Sequence, residues 1–248
     1  MSEELYTLII DRVQTLGDPR SVGSKRDSEL LFGEQFAVER IEGRMAYGRN
    51  TYDDYQGYVP IDALRHETVQ ATHRISAPAT FWFDKPTMKS AILGRLSMGS
   101  IICVRGPAEA GYVPIWPSGY ILDNAIHAND INFTNPVDVA MMLVGTPYQW
   151  GGRSSYGIDC SGLTQLAYRM CGKYLPRDSD NQVEGGQQLD MGLIERGDLL
   201  FAAGHVVLMI DHDTVLHSNA TRHGSVAVEP IREASQRYDF HTLKKWMP

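Results

Sequence analysis

The 248-residue chain is 43% hydrophobic and 21% charged, which is the composition of folded globular material and excludes disorder as its organising state. A net charge of -7 and the lack of any Lys/Arg stripe argue against a nucleic-acid backbone or an anionic membrane as partner. No run approaches the roughly 18 apolar residues of a membrane span, and the acidic start Met-Ser-Glu-Glu-Leu-Tyr does not read as a secretory signal, so a cytoplasmic setting is expected.

Residues 1–28 carry a weak pattern. Leu8, Ile9, Ile10 and Val13 fit a strand or a short helix, and a polar Gly/Pro/Ser stretch follows. From residue 30 the reading is β. Leu30 to Val38 has a glycine break at Gly33 and then alternation, Glu42-Gly43 signals a turn, Met45 and Tyr47 alternate again, and Gly57 to Leu64 closes the segment. A second copy follows: Leu96 to Val104 repeats the Leu-x-x-Gly-x-x-x-x-Val pattern of Leu30 to Val38, and Gly119 to Ile126 repeats Gly57 to Leu64 in register. Two small all-β units, residues 1–70 and 71–130, are expected, followed by a third domain over 131–248. Cys103, inside the apolar run Ile101-Ile102-Cys103-Val104, reads as a small buried side chain.

In the third region Asn135-Pro136 is a cap and first-turn pair, and Val137, Ala140, Met141 and Val144 form a helical face ending at Gly145. A glycine-rich aromatic loop then runs into Asp159-Cys160-Ser161. Behind it Leu163, Leu166, Ala167, Met170 and Cys171 recur at helical spacing up to Gly172. Asp159 is a good N-cap and Gly172 a good stop, so Cys160 falls in the first turn, where unpaired N–H groups and the positive end of the helix dipole lower a thiol pKa. The three cysteines lack a Cys-x-x-Cys spacing. Neither disulfides nor a structural zinc are expected, and no metal or other cofactor is predicted.

Leu175-Pro176-Arg177-Asp178-Ser179 cannot continue that helix because of its proline. Gly197 to Phe201 begins a strand, and His205 to Ile210 and Thr214 to Ser218 form a hairpin across Asp211-His212-Asp213. A turn centred on Asp211 puts His205 directly opposite His217, with Cβ atoms about 4.5 to 5.5 Å apart. Cys160 at a helix start, His205 and His217 then make a nucleophile, a base and an orienting group, the logic of a papain-type cysteine hydrolase. A lone cysteine or a strand histidine is more often structural, but three coincident features favour catalysis. The remaining histidines, His66, His73, His127, His212, His223 and His241, have no comparable company and read as surface residues.

Residues 145–217 resemble the NlpC/p60 family of bacterial cell-wall peptidases. The resemblance is carried by Gly-Thr-Pro-Tyr148-Gln-Trp-Gly-Gly, Asp159-Cys160-Ser161-Gly, Leu-Pro-Arg-Asp178-Ser179, Gly197-Asp198-Leu-Leu-Phe, Gly204-His205-Val and Leu216-His217-Ser. The two upstream repeats resemble bacterial SH3 domains. The resemblance implies a papain-like α+β C-terminal domain behind two SH3-like barrels, with Cys160 as nucleophile, His205 as base and His217 as the third polar residue. The implied substrate is a murein peptide, cut at the bond from γ-D-glutamate to an L-diamino acid and carrying a free N-terminal L-alanine, in murein recycling. It further implies that Tyr148, Asp159, Ser161, Asp178 and Ser179 line the pocket, and that Glu34 and Tyr55 of the first repeat meet the peptide's ammonium. A charged residue that follows a glycine in a turn is more often merely solvated, which is the other reading of Glu34. Arg177 either fixes the loop by a salt bridge or touches substrate. A non-catalytic wall-binding protein, a Cys/His metal site, and a papain-like acyltransferase or lipid hydrolase are the alternatives. The polar lining disfavours an acyl tail, and the two strand histidines lack a fourth ligand at a suitable spacing.

Overall fold

The computed structural model describes residues 4–18 and 26–246. Most of the polar Gly/Pro/Ser stretch noted near the N-terminus lies outside the described residues. The chain separates into two compact units, Met1–Ile131 and Asn132–Pro248.

The first unit is built almost wholly of strands. Its first sheet holds β1 (Glu4–Leu8), β2 (Arg12–Leu16), β3 (Arg26–Leu31), β4 (Gln35–Glu42), β5 (Met45–Asn50), β6 (Gln56–Pro60) and β7 (Leu64–Arg65), in the order β3-β2-β6-β5-β4-β1-β7. Two smaller sheets follow, made of β8 (His73–Ile75), β9 (Ala79–Phe83), β10 (Ile92–Ser97), β11 (Ile101–Ile102), β12 (Tyr112–Pro114), β13 (Tyr120–Leu122) and β14 (Ile126–Ala128). Their orders are β10-β9-β13-β12 and β11-β8-β14.

The internal repeat is visible in the backbone. Gly33 and Gly99 take φ of 77° and 84°, the left-handed region that a side chain resists, and each turns the chain out of one strand and into the next. The segments Gly57 to Leu64 and Gly119 to Ile126 both run strand, one 3-10 turn (Ile61–Ala63 and Asp123–Ala125), strand. Leu8, Leu30, Phe36, Ala46 and Val59 form one core and Ile75, Leu96, Ile102 and Ile121 another. Phe32 belongs to the second core although it precedes Gly33 of the first repeat, and its ring meets Trp82 edge-on at 5.2 Å between centroids. Cys103 is half-buried instead of buried; Ile102 before it takes the core position, as alternation along a strand requires.

In the second unit a six-stranded antiparallel sheet supports the helices. It comprises β17 (Gln187–Leu189), β18 (Leu199–Ala202), β19 (His205–Met209), β20 (Thr214–Asn219), β21 (Ser225–Pro230) and β22 (Thr242–Lys245), in the order β17-β22-β18-β19-β20-β21. Before it come the two-stranded ribbon β15 (Arg153–Ser154) and β16 (Gly157–Ile158) and the helices α1 (Pro136–Met141) and α2 (Cys160–Met170); α3 (Ser179–Gln182) and α4 (Ile231–Ala234) are single turns. The Asn135 side chain caps α1 by accepting the Val137 N–H at 2.9 Å.

The predicted face of α1 is corrected. Met141 and Val144 are exposed, whereas Val137, Ala140 and Leu143 are buried. The end of this helix winds three residues per turn, Met142 N–H to Val139 and Leu143 N–H to Ala140, which carries Leu143 instead of Val144 inward beside Val137, Val139 and Ala140. Helix α2 also differs from its amphipathic reading, because every residue from Cys160 to Met170 is buried. Its polar side chains are satisfied internally. Thr164 donates to Gln182 Oε1 at 2.8 Å, Gln165 donates to the Leu175 carbonyl at 3.2 Å, and Arg153 donates to Gln165 Oε1 at 2.9 Å. The helix stops where Gly172, at φ 74°, lets its own N–H reach Arg169 and the Lys173 N–H reach Tyr168.

Candidate active site

Asp159 sets the start of α2. Its Oδ1 accepts the Gly162 N–H at 2.7 Å and its Oδ2 the Gly151 N–H at 2.8 Å, which ties the glycine-rich loop to the helix end. Arg177 closes on both oxygens, at 3.0 and 2.7 Å, and its Nη1 also donates to Ser161 Oγ at 3.0 Å. This resolves the two readings of Arg177: it is buried and fixes the loop. Asp159 and Ser161, read as pocket lining, are likewise buried, and this network engages both carboxylate oxygens and the hydroxyl. Asp178 and Ser179, at the start of α3, are half-buried.

Cys160 occupies the first turn of α2, and its sulfur accepts the backbone N–H groups of Val206 and Ser161. The bond from Val206 places the thiol beside the first residues of β19, next in sequence to His205. The expectation of a lowered thiol pKa is corrected, since it is pushed up to about 12. Burial is the main cause and the Asp159 carboxylate adds to it; the two N–H groups and Arg177 offset only part. His205 is driven the other way, down to about 3, first by burial and then by the neighbouring His217. Burial thus disfavours the charged form of each group, the thiolate of Cys160 and the imidazolium of His205.

The histidines meet as read, but not by the predicted register. The hairpin pairs Leu208 with Leu216 and Met209 with Val215, so it is centred on His212 and His205 lies diagonal to His217. Moving the centre by one residue moves every cross-strand pair by two, and side chains alternate with period two, so both rings stay on one face. Nε2 of His205 and Nδ1 of His217 are 2.8 Å apart. Tyr238 stacks flat on His205, with ring centroids 4.0 Å apart and planes at 10°. Tyr148 is close enough to feel the charge of Cys160, Asp159 and Tyr238; burial first, then these neighbours, raises its phenol pKa.

Sequence reasoning missed Glu229 and Tyr238. Glu229 lies on β21, two residues beyond Ala227, which pairs with His217, and its Oε1 is 2.6 Å from His217 Nε2. His223, read as a lone surface histidine, lies 3.7 Å from Glu229 Oε2. A polar residue two positions beyond the cross-strand partner of a buried histidine is the signal that would have found Glu229, but it requires the register of a strand that was not read.

Glu34 and Tyr55 belong to the first unit. Glu34 is not solvated: it is 3% exposed, and its carboxylate accepts the Leu31 N–H at 2.9 Å and the Asn50 amide at 3.3 Å, closing the turn at Gly33. Tyr55 is half-buried, and its carbonyl accepts the Asn50 N–H at 3.0 Å.

The NlpC/P60 family profile matches residues 145–244, and that of the bacterial dipeptidyl-peptidase Sh3 domain matches residues 20–64. The chain is 30% identical over 216 residues to dipeptidyl-peptidase 6 of Lysinibacillus sphaericus, across 77% of this chain and 79% of that protein. It is 33% identical over 220 residues to gamma-D-glutamyl-L-lysine dipeptidyl-peptidase of Bacillus subtilis, across 78% and 72% of the two chains. A crystal structure of an NlpC/P60 family protein from Bacillus cereus shares the fold, with a TM-score of 0.85 over 98% of this chain and all of that one at 19% identity. Two relatives matched over most of both chains, together with a helix-start cysteine beside a histidine pair, make this chain a cysteine peptidase that belongs to the NlpC/P60 family, with a bacterial SH3 domain ahead of its peptidase domain.

Proposed function

We propose that the protein cleaves peptidoglycan stem peptides at the γ-D-glutamyl-L-diamino acid bond, acting on peptides with a free N-terminal L-alanine. The observation that carries the chemistry is the 2.8 Å contact between His205 and His217, with Cys160 held beside the start of the same strand. The substrate class is supported by the relatives named gamma-D-glutamyl-L-lysine dipeptidyl-peptidase, since release of a dipeptide requires a free chain end. Such an end exists only after the stem has been cut from its sugar, and on this reading the enzyme acts in the recycling of released murein peptides. In fold terms, this reading takes the second unit as papain-like and the two repeats as SH3-like barrels.

In the cycle, His205 takes the Cys160 proton as the sulfur attacks the γ-carbonyl carbon of D-glutamate. The developing oxyanion faces the Cys160 backbone N–H, one of the helix-start donors without an intrahelical partner. The C–N bond breaks as His205 protonates the leaving amine, giving a thioester; His205 then removes a proton from water, which attacks and releases the thiol. Tyr148, Asp178 and Ser179 line the pocket, and Asp159 and Ser161 shape it through Arg177.

The test is incubation with L-Ala-γ-D-Glu-L-Lys, its diaminopimelate analogue and their N-acetylated forms, comparing wild type with Cys160→Ala. Cleavage of the free peptides by wild type alone is expected. No cleavage of any peptide would sink the substrate assignment, and equal cleavage of free and acetylated forms would remove the requirement for a free N-terminus.

A further inference from the structure

The histidine pair does not end at His217. Nε2 of His217 faces Glu229 Oε1 at 2.6 Å, with side-chain exposures of 0% and 2%, and it also meets the Asn219 amide nitrogen at 2.9 Å, the Asn219 Oδ1 being taken up by the Arg222 and His223 N–H groups. Arg237 Nη2 donates to that same oxygen at 2.5 Å. Arg222 and His223 face the other oxygen at 3.8 and 3.7 Å, and Oε2 makes no hydrogen bond among the described residues. With Arg237 and His217 both on Oε1, the carboxylate is held ionised and acts only as an acceptor.

The tautomers follow. Of the two groups at His217 Nε2, the ionised carboxylate is the nearer and stronger partner, at 2.6 Å against 2.9 Å for the neutral Asn219 amide, so the proton sits on Nε2 and Nδ1 of His217 is left as a lone pair. His205 must then carry its proton on Nε2 to make the 2.8 Å contact, and its own Nδ1 is left as the basic nitrogen. We propose that Glu229, anchored by Arg237, is a positioning residue that sets the tautomers of His217 and His205 so that Nδ1 of His205 is the free base for Cys160. The segment that follows β21 braces both ends of this relay, because Arg237 holds Glu229 while the next residue, Tyr238, stacks on His205. The inference rests on Cys160 and His205 being the reacting pair, and not on which peptide they cleave.

Glu229→Gln is the informative change, since it keeps the shape but presents an amide. If the amide donates to His217 Nε2, both imidazoles take the opposite tautomer and His205 turns an N–H toward the thiol. Nitrogen-15 NMR of histidine-labelled protein reads the tautomers directly, and iodoacetamide alkylation of Cys160 at pH 7.5 reads base assistance without any peptide. In wild type, protons on Nε2 of both His205 and His217 are expected. In Glu229→Gln both protons move to Nδ1, alkylation slows about tenfold or more, and Glu229→Asp recovers part of the rate. On any peptide the enzyme cleaves, kcat falls by about 100-fold while KM stays within about threefold. A wild-type proton on Nδ1 of His217 would overturn the proposal even if the variant did not fold. Unchanged tautomers together with unchanged alkylation in a folded Glu229→Gln would also overturn it. Failure of the peptide test alone would leave these readouts intact.

Discussion

Arg177 grips the carboxylate of Asp159 at both oxygens, 3.0 and 2.7 Å, with both side chains buried. Breaking such a pair from one side leaves an uncompensated buried charge at a cost of about 3 to 5 kcal/mol. Arg177→Met is therefore expected to lower the urea midpoint strongly. Arg177→Lys should rescue little, because a single ammonium cannot hold two oxygens in one plane. An exposed pair such as Arg196 with Asp138 serves as the control, where removal should change stability by less than about 1 kcal/mol.

Tyr238 lies parallel to His205 at 4.0 Å, and a stack of this kind contributes about 0.5 to 1.5 kcal/mol of orientation. Tyr238→Phe keeps the ring and should leave kcat/KM within about threefold. Tyr238→Ala frees the imidazole to rotate and should lower it by about tenfold, the equivalent of about 1.4 kcal/mol. Steady-state kinetics on one cleavable peptide separates the two, and equal losses in both variants would assign the effect to the hydroxyl instead of the stack.

The parts of the site written in local sequence could be read. Asp159, Cys160 and Gly172 announce a capped helix and its stop, and the run from His205 to Ser218 announces a hairpin with a histidine on each strand. What could not be read depends on strands brought in from later in the chain. Glu229 and Tyr238 reach the histidines only because β21 pairs with β20 and α4 turns the chain back, and neither residue has a distinctive neighbourhood in sequence. Burial was the second gap. The dipole argument for Cys160 was sound for an exposed helix end, but α2 is enclosed on every side, and desolvation of the thiolate outweighs the dipole. Similarly, Phe32 looks like an ordinary member of the first repeat and packs with the core of the second.

The buried histidines make stability depend on pH. His205 is depressed from 6.5 to about 3 in the folded protein, mainly by burial. Between those values the unfolded chain binds the proton and the folded chain does not, so stability is fully present above about pH 6.5 and is lost as pH falls toward 3. At about 1.4 kcal/mol per unit, the loss from this group between pH 7.5 and 4.5 is about 2 to 3 kcal/mol. Urea midpoints at the two pH values, compared between wild type and His205→Gln, isolate the contribution from that of carboxylates elsewhere. The same pH dependence in both proteins would show that His205 is not held neutral.

Cys160 gives the complementary dependence on the alkaline side. A thiol raised from 9.0 to about 12 stays protonated at neutral pH, so the folded form is favoured below about pH 9 and that advantage fades as pH rises toward 12. The kinetic consequence is sharper. A preformed thiolate and imidazolium pair would alkylate at a rate already level by about pH 5 to 6, whereas a thiol that ionises only as its proton is withdrawn reacts faster as pH climbs. The rate of iodoacetamide labelling at Cys160, followed by peptide mass spectrometry so that half-buried Cys103 and Cys171 are scored separately, is expected to rise continuously from pH 6 to 9.5. His205→Gln should slow labelling most near neutrality, where the imidazole is the available base, and converge on wild type at the alkaline end. A flat profile from pH 6 upward in wild type would mean that the enzyme rests as the ion pair, and that the fields of Val206, Ser161 and Arg177 outweigh the burial of the sulfur.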